Sequence, residues 1–353
     1  MTTGTDAKTG LEMGLAATPA EGVVAIGASA GGIEALCELA ASMPPDFPFA
    51  VMVVTHMGRR TPSVLARILD RSGPLPAMAA VDGAVLEAGR LYTAVPDRHL
   101  LARDHRVALS VGPSESGHRP AIDALFRSVA LDYGQYAVGV LMSGLLDDGV
   151  AGLSAIKSKG GVTVVQEPAD ALFPNLPQNA LKAGVADYAA AAKEIGGLLA
   201  QLADRDIEAP LIDPDGQLEL ENRIAMGARF AAAVDVDDLG PPTGYSCPNC
   251  HSPLMAVGAN SYRCQVGHGW TAEALLSAED DQLEEAVWVV VRILKEKANL
   301  CRKFAGTSSV ASTVERYTAW AEQAERALAT LSQGLFTAPI AASGYAEGVS
   351  NGH

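Results

Sequence analysis

At 353 residues, with 48% hydrophobic but only 5% aromatic side chains, the chain is long enough for two domains and packs an interior rich in Ala, Val and Leu. Its net charge of -15 is uneven: residues 1–205 hold 16 Lys and Arg against 21 Asp and Glu, and the rest hold 10 against 20. No basic stripe exists to neutralise phosphates, which excludes a nucleic-acid partner. Residues 1–20 lack the charged and apolar regions of a signal peptide, no apolar run reaches membrane-spanning length, and four of the five cysteines cluster late in the chain, so a cytoplasmic protein with no membrane insertion is expected.

Residues 1–20 are Thr, Gly, Ala and Lys without period and are expected to be a disordered leader. Val23-Val24-Ala25-Ile26 predicts a buried parallel strand, which passes through the turn Gly27-Ala28-Ser29-Ala30-Gly31-Gly32 into a helix over about 32–42. Phe49 to Val54 predicts a second buried strand, ending in Thr55-His56-Met57, with a helix after Pro62 through Val64, Leu65, Ile68 and Leu69. Ala79 to Val111 reads as short β pieces broken by Asp82-Gly83, Gly89 and Asp104-His105. Residues 112–117 are a loop, and a helix starts near Pro120 with Ile122, Leu125, Phe126 and Val129 on one face. Strands follow at Tyr136–Met142, Gly161–Gln166 and Val185–Tyr188. Strands alternating with helices predict an α/β fold, a doubly wound, mostly parallel, Rossmann-like three-layer sheet.

Ligands of such sheets sit off the carboxyl ends of the strands. Three polar residues fall there: Ser29, His56 and Asp148. Ser29 is the one hydroxyl in its turn and projects at a helix N-terminus, so the turn is like a nucleophile elbow, whose first helical N–H groups, Ala30 among them, can stabilise an oxyanion. A phosphate-binding turn is the rival reading, but Ser29 stands where the dinucleotide fingerprint has its second Gly, and the next strand delivers His56 rather than an acidic ribose ligand. A nucleophile needs a base, and the base needs a carboxylate to hold its tautomer, so the set supplies a hydrolytic triad in the order Ser, His, Asp. The plainer alternatives are a satisfied loop histidine and, for Asp148 before Gly149, a helix N-cap.

Gly27 to Gly32, His56-Met57, Asp97-Arg98-His99, His118-Arg119-Pro120-Ala121-Ile122-Asp123 and Gly144-Leu145-Leu146-Asp147-Asp148-Gly149 occur together in order. On these motifs residues 21–205 resemble the catalytic domain of the chemotaxis protein-glutamate methylesterases, the CheB family. The resemblance implies hydrolysis of γ-glutamyl methyl esters on methyl-accepting receptor proteins, with glutamine deamidation as a companion activity and no cofactor for catalysis. It carries the triad onto Ser29, His56 and Asp148, and a backbone oxyanion donor onto Leu145. It also places Arg98, His99 and Arg119 at the cleft mouth, facing acidic receptor helices. Two departures stand out: the family's Ser-Thr pair is Ser29-Ala30 here, and Leu146 replaces a loop glycine. The family's chemotaxis members carry an N-terminal receiver domain for which the leader is too short, so residues 206–353 are the expected source of any control. The competing readings are a non-catalytic docking protein of the same fold and an esterase or amidase acting on small molecules.

Residues 206–243 hold nine acids against two arginines among several prolines and are expected to be an acidic linker, with Leu218-Glu219-Leu220 as a candidate short strand. Over residues 244–272, Cys247, Cys250, Cys264 and His268 have the spacing of a four-ligand tetrahedral site, which predicts a structural zinc knuckle, with His251 as a substitute ligand. A segment with so little core needs the ion to fold, and its loss on chelation is expected to spare the esterase domain. Over residues 273–334, Leu283, Val287, Val290, Leu294 and Cys301 make one stripe, and Val314, Tyr317, Ala321, Ala324, Leu328 and Leu331 make another. They predict an antiparallel helical hairpin, a candidate arm for homo-oligomerisation or partner docking, followed by a disordered tail over 335–353.

Overall fold

The structure, a computed structural model, describes residues 19–59, 63–205, 215–227, 239–258 and 260–337; residues 1–18 of the expected leader and most of the expected tail lie outside them, whereas Ala20 is buried and donates its N–H to the Leu86 carbonyl at 2.8 Å. The chain divides after Leu276 into two compact units.

The first unit begins with β1 (Val23–Ala28), α1 (Gly32–Ser42), β2 (Ala50–Thr55), α2 (Leu65–Ser72), β3 (Ala77–Ala79) and β4 (Leu91–Thr93). A hairpin of β5 (His99–Arg103) and β6 (Arg106–Ser110) follows, then α3 (Ile122–Tyr133), β7 (Ala137–Leu141), α4 (Val150–Ser158), β8 (Val162–Gln166), α5 (Asn175–Lys182), β9 (Tyr188–Ala190) and α6 (Ala192–Ala203). The strands form one seven-stranded sheet in the order β3-β4-β2-β1-β7-β8-β9, every pairing parallel. Side chains alternate along β1: Val23 and Ala25 enter a core with Leu125 and Phe126 of α3 and Ile156 of α4, whereas Val24, Ile26 and Ala28 enter a second core with Leu36 and Leu39 of α1 and Leu199 of α6. Burial on both faces is why these strands read as continuous apolar runs. The strand order reverses between β1 and β7, so a crevice opens at their carboxyl ends, where Ser29 and Ser143 follow the two strands.

Leu218-Glu219-Leu220 are helical rather than extended: α7 (Gly216–Ala225) is capped by Asp215, whose carboxylate accepts the Leu218 N–H at 3.0 Å. Leu218, Leu220 and Ile224 are buried, and Ser110 at the end of β6 donates to the Ala225 carbonyl at 2.6 Å. Residues 206–214 and 228–238 of the expected linker lie outside the described residues. A small antiparallel sheet of β10 (Pro242–Ser246), β11 (Pro253–Gly258), β12 (Ser261–Cys264) and β13 (Gly269–Thr271) completes the unit.

The second unit is a helical hairpin, α8 (Ala272–Thr307, which starts in the first unit) and α9 (Ala311–Thr337). Phe304 stacks near Tyr317 and Arg302 pairs with Glu325, which fixes the two helices antiparallel. On α9 the expected stripe is the withdrawn face, with Ala321 and Ala324 buried. On α8 the stripe is corrected: Val291, Ala298 and Cys301 are buried with Val287 and Leu294 half-buried, whereas Leu283 and Val290 face solvent. The apolar residues of α8 occupy more than one face, and sequence spacing does not say which face the neighbour takes.

Candidate active site

β1, β2 and the β7–α4 loop bring the three strand-end residues together. Ser29 Oγ lies 3.0 Å from His56 Nδ1, and His56 Nε2 lies 2.7 Å from Asp148 Oδ2. The ring nitrogen facing the serine is therefore the acceptor, while Nε2 carries the proton donated to Asp148. Asp148 is not the N-cap of α4. It is a cap, but of α3 rather than of the helix that follows it: Oδ2 accepts the Ile122 N–H at 2.8 Å and Oδ1 accepts the Asp123 N–H at 2.9 Å. Asp123 returns the arrangement, its Oδ1 accepting the N–H groups of Gly149 and Gly152 at the start of α4. Burial raises the Asp148 carboxyl, but His56 and the two α3 amides outweigh it and hold it below its usual range. Asp123 is pushed well above its usual range by burial and by the charge of Asp148. The carboxylate that faces the imidazole is thus favoured in its charged form, and its neighbour is the easier of the two to protonate.

Small residues let the loops close around Ser29. Gly31 has φ 67°, and a side chain there would strike Leu172 and Phe173; a Cβ at Gly144 would lie 2.8 Å from that of Ser29. The Ser29 N–H donates to the Ser143 carbonyl at 2.8 Å, and Ser143 Oγ donates to the Ala30 carbonyl at 2.8 Å, which ties the two loops of the crevice together. Leu146 takes φ 61°, the left-handed region that favours glycine, so the loop keeps the conformation a glycine would adopt at the expense of strain in a leucine.

The CheB methylesterase family profile matches residues 24–199, a span that contains all three residues. An Anaeromyxobacter dehalogenans protein named protein-glutamate methylesterase/protein-glutamine glutaminase 5 is 40% identical over 171 residues, 47% of each chain. A Leptospira interrogans relative given the same activity in its name, provisionally, is 32% identical over 186 residues, 52% of this chain and 96% of its own. The chain belongs to the CheB methylesterase family. It spans about half the length of the Anaeromyxobacter relatives it matches. The crystal structure of the Thermotoga maritima CheB methylesterase catalytic domain matches 51% of this chain and 98% of its own, at 29% identity and a TM-score of 0.49. The knuckle and the hairpin lie beyond the segment shared with the family.

A residue outside the expected set joins the CheB site. The His118 ring stacks on that of His56, with centroids 3.7 Å apart and planes 7° from parallel. Burial and the neighbouring His56 push its pKa down to about 4, so it stands neutral against the base at neutral pH. Its motif was visible in the sequence, but nothing in the spacing says that the loop folds back over β2. One expected cleft-mouth residue is corrected. His99 is fully buried; Nε2 donates to the Pro113 carbonyl at 2.9 Å, and Nδ1 accepts the Ala121 N–H at 3.3 Å. Burial lowers its pKa, and the neutral imidazole staples two loops instead of meeting substrate. Arg119, next to His118, is half-buried and donates to Asp97 at 2.6 Å and to the carbonyls of Val111 and Gly112. Arg98 is exposed.

The four expected metal ligands converge. One ligand atom from each of Cys247, Cys250, Cys264 and His268 lies within 4.8 Å of the others, with Cys250 Sγ 3.6 Å from Cys264 Sγ and Cys264 Sγ 3.5 Å from His268 Nδ1. A tetrahedral zinc with Zn–S bonds of about 2.3 Å needs an edge of about 3.7 Å, so the donor set fits. His251 is outside the group; its N–H instead donates to the Cys247 carbonyl at 2.8 Å.

The knuckle is not a separate bead. Ser116 N–H donates to the Gly269 carbonyl at 2.7 Å, Gly269 N–H donates to the Ser114 carbonyl at 3.2 Å, and Asn249 Nδ2 donates to Ser114 Oγ at 2.7 Å. Between them Glu115 is buried beneath two guanidiniums, Arg127 of α3 at 2.6 Å and Arg263 of β12 at 3.0 Å. Burial alone would raise the Glu115 carboxyl; the two arginines outweigh it and hold it far below its usual range. On the other side, Thr271 Oγ1 donates to Asp147 at 2.6 Å, one residue before Asp148. The knuckle therefore grips both the loop that delivers His118 and the loop that delivers Asp148.

Proposed function

We propose that the protein is a serine hydrolase that removes methyl esters from glutamate side chains of methyl-accepting, chemoreceptor-like proteins in the cytoplasm, releasing methanol, and that hydrolyses glutamine amides at the same kind of site. The observation that carries the reading is the unbroken relay from Ser29 through His56 to Asp148, with Asp148 held by two helix amides. Ser29 Oγ attacks the ester carbonyl carbon while His56 Nδ1 takes the hydroxyl proton. The carbonyl electron pair moves onto oxygen, where the backbone N–H groups of Ala30 and Leu145 are the proposed donors. Collapse breaks the bond to the methoxyl oxygen, which leaves as methanol with the proton from Nδ1. Water, deprotonated by Nδ1, then cleaves the acyl-serine and returns the proton to Ser29. For a glutamine the leaving group is ammonia. Asp148 accepts Nε2–H throughout and stabilises the imidazolium.

Arg98, exposed, and Arg119, half-buried beside His118, are the candidates for contact with acidic receptor segments. Cys247, Cys250, Cys264 and His268 would hold a structural zinc, because four protein ligands leave no open position for chemistry. Its role is to keep the β12–β13 edge rigid against the loop at residues 112–118, which makes the knuckle part of the esterase. The C-terminal helices are the self-association element. The test of the activity is methanol release from a methylated receptor fragment by the full chain. Ser29→Ala is expected to abolish it, and near-wild-type release by that variant would overturn the mechanism.

A further inference from the structure

The second unit carries apolar surface that the hairpin does not use. The residues of α8 withdrawn against α9 step through Val287, Val291, Leu294, Ala298 and Cys301. One position away runs a second set at the same alternating spacing of three and four: Leu283, Ala286, Val290, Ile293, Lys297 and Leu300. All of these are exposed, Leu283 at 64%, Ile293 at 49% and Leu300 at 55%. A strict heptad seam of about 27 Å, at 1.5 Å per residue, is coiled-coil geometry rather than scattered surface leucines.

The charges of α8 say what fits it. Its first half bears Glu279, Asp280, Asp281, Glu284 and Glu285 with no basic residue between them. Its second half bears Arg292, Lys295, Lys297, Arg302 and Lys303 with Glu296 as the one acid. Between lies Ala286-Val287-Trp288-Val289-Val290-Val291, free of charge. Such a helix is complementary to itself turned end for end. A parallel copy would set acid against acid and base against base along the whole length.

We propose that the protein dimerises through this second seam of α8, packed antiparallel on α8 of a second copy about a two-fold axis level with Val291 and Arg292. The register follows from heptad pairing in antiparallel coils. Leu283 lies opposite the partner's Leu300, Val290 lies opposite the partner's Ile293, and the small Ala286 lies opposite the long stem of the partner's Lys297. The same register sets Asp280 level with the partner's Lys303. This is an isologous interface, closed at two copies. It deepens the assignment of self-association to the C-terminal helices and is independent of the esterase chemistry.

The experiment uses the full chain. Light scattering after gel filtration at micromolar concentration is expected to give a dimer mass. Ile293→Glu is expected to give a monomer with unchanged helix content by circular dichroism and unchanged methanol release, which separates a lost interface from a lost fold. Leu283→Cys and Leu300→Cys proteins are then mixed under mild oxidation and their disulfides mapped by mass spectrometry. Cross-links between the two variants, with few within either alone, support the antiparallel register. A monomeric wild type, a dimer that survives Ile293→Glu, or cross-links mainly between like positions would each overturn the proposal; a wild-type monomer whose seam cross-links to a receptor helix would assign the surface to that partner instead.

Discussion

Two Arg–Glu pairs show how differently the two units are built. Arg302 and Glu325 bridge the hairpin at 2.6 Å, with side chains 54% and 43% exposed. Arg263 and Glu115 join the knuckle to the sheet unit at 3.0 Å, with side chains 4% and 7% exposed. The longer contact is the more consequential one. Water screens the first pair and satisfies either partner if the other is lost. Water cannot reach in to replace a lost partner in the second: Glu115 owes its charge to Arg127 and Arg263 together, and loss of Arg263 leaves it to Arg127 alone. The sheet unit buries its charged pairs and holds them from several sides, whereas the hairpin keeps both a charged and an apolar face open.

The comparison breaks first at the triad. Asp148→Asn should lower turnover on methylated receptor by about 10³–10⁴, from the wrong imidazole tautomer, with far smaller change in melting because the amide keeps one acceptor for the α3 amides. Turnover within tenfold of wild type would remove Asp148 from the relay.

The knuckle clamp comes next. Arg263→Ala should destabilise the sheet unit by about 3 kcal/mol, the low end for a broken buried pair because Arg127 remains, measured by thermal melting of the full chain. Chelation of the metal should lower methanol release as well as unfold the knuckle, contrary to the modular expectation from spacing alone. A chelated protein that keeps its full rate would restore the knuckle to an independent module.

A smaller effect sharpens the picture of a closed site. The His118 pKa lies near 4 in the folded protein against an ordinary 6.5, so the unfolded chain binds this proton first as pH falls. Stability from neutral His118 is fully present above pH 6.5 and is lost progressively towards pH 4. His118→Phe should flatten that part of the stability–pH curve, read from denaturant midpoints across the range; an unchanged slope would assign it to other groups.

The smallest effects belong to open or strained surface. Leu146→Gly trades left-handed strain of about 1–2 kcal/mol against about 0.5–1 kcal/mol of added chain entropy, so melting should rise only slightly. Arg302→Ala should leave melting within experimental error, in contrast to Arg263→Ala. Equal losses at the two arginines would mean that burial does not separate the pairs.

The strands and their polar ends were legible because a parallel sheet buried on both faces imposes runs such as Val23 to Ile26, and a tight turn admits only small residues around Ser29. The cluster of Cys247, Cys250, Cys264 and His268 was legible because a four-donor tetrahedral site requires such spacing on two short turns. His118 over His56 was not, since its motif specifies a loop and not where that loop lands. The burial of His99 was hidden for a related reason: a polar side chain beside a cleft is indistinguishable in sequence from one that staples the cleft's own backbone.

Local chemistry, carried by neighbours in the chain, was therefore decided by sequence alone: buried strands, the Ser29 turn, the Cys and His donors, and two long amphipathic helices. Tertiary structure decided what joins residues far apart. Glu115 and Arg263 stand 148 positions from each other, Asp148 caps a helix that begins 26 residues before it, and only packing selects which face of α8 meets α9. Hydrogen bonds and helical periods repeat along the chain and leave a pattern in it, whereas burial is a property of the assembled molecule, and it is burial that turns a charge, a ring or a leucine into part of a site or leaves it facing water.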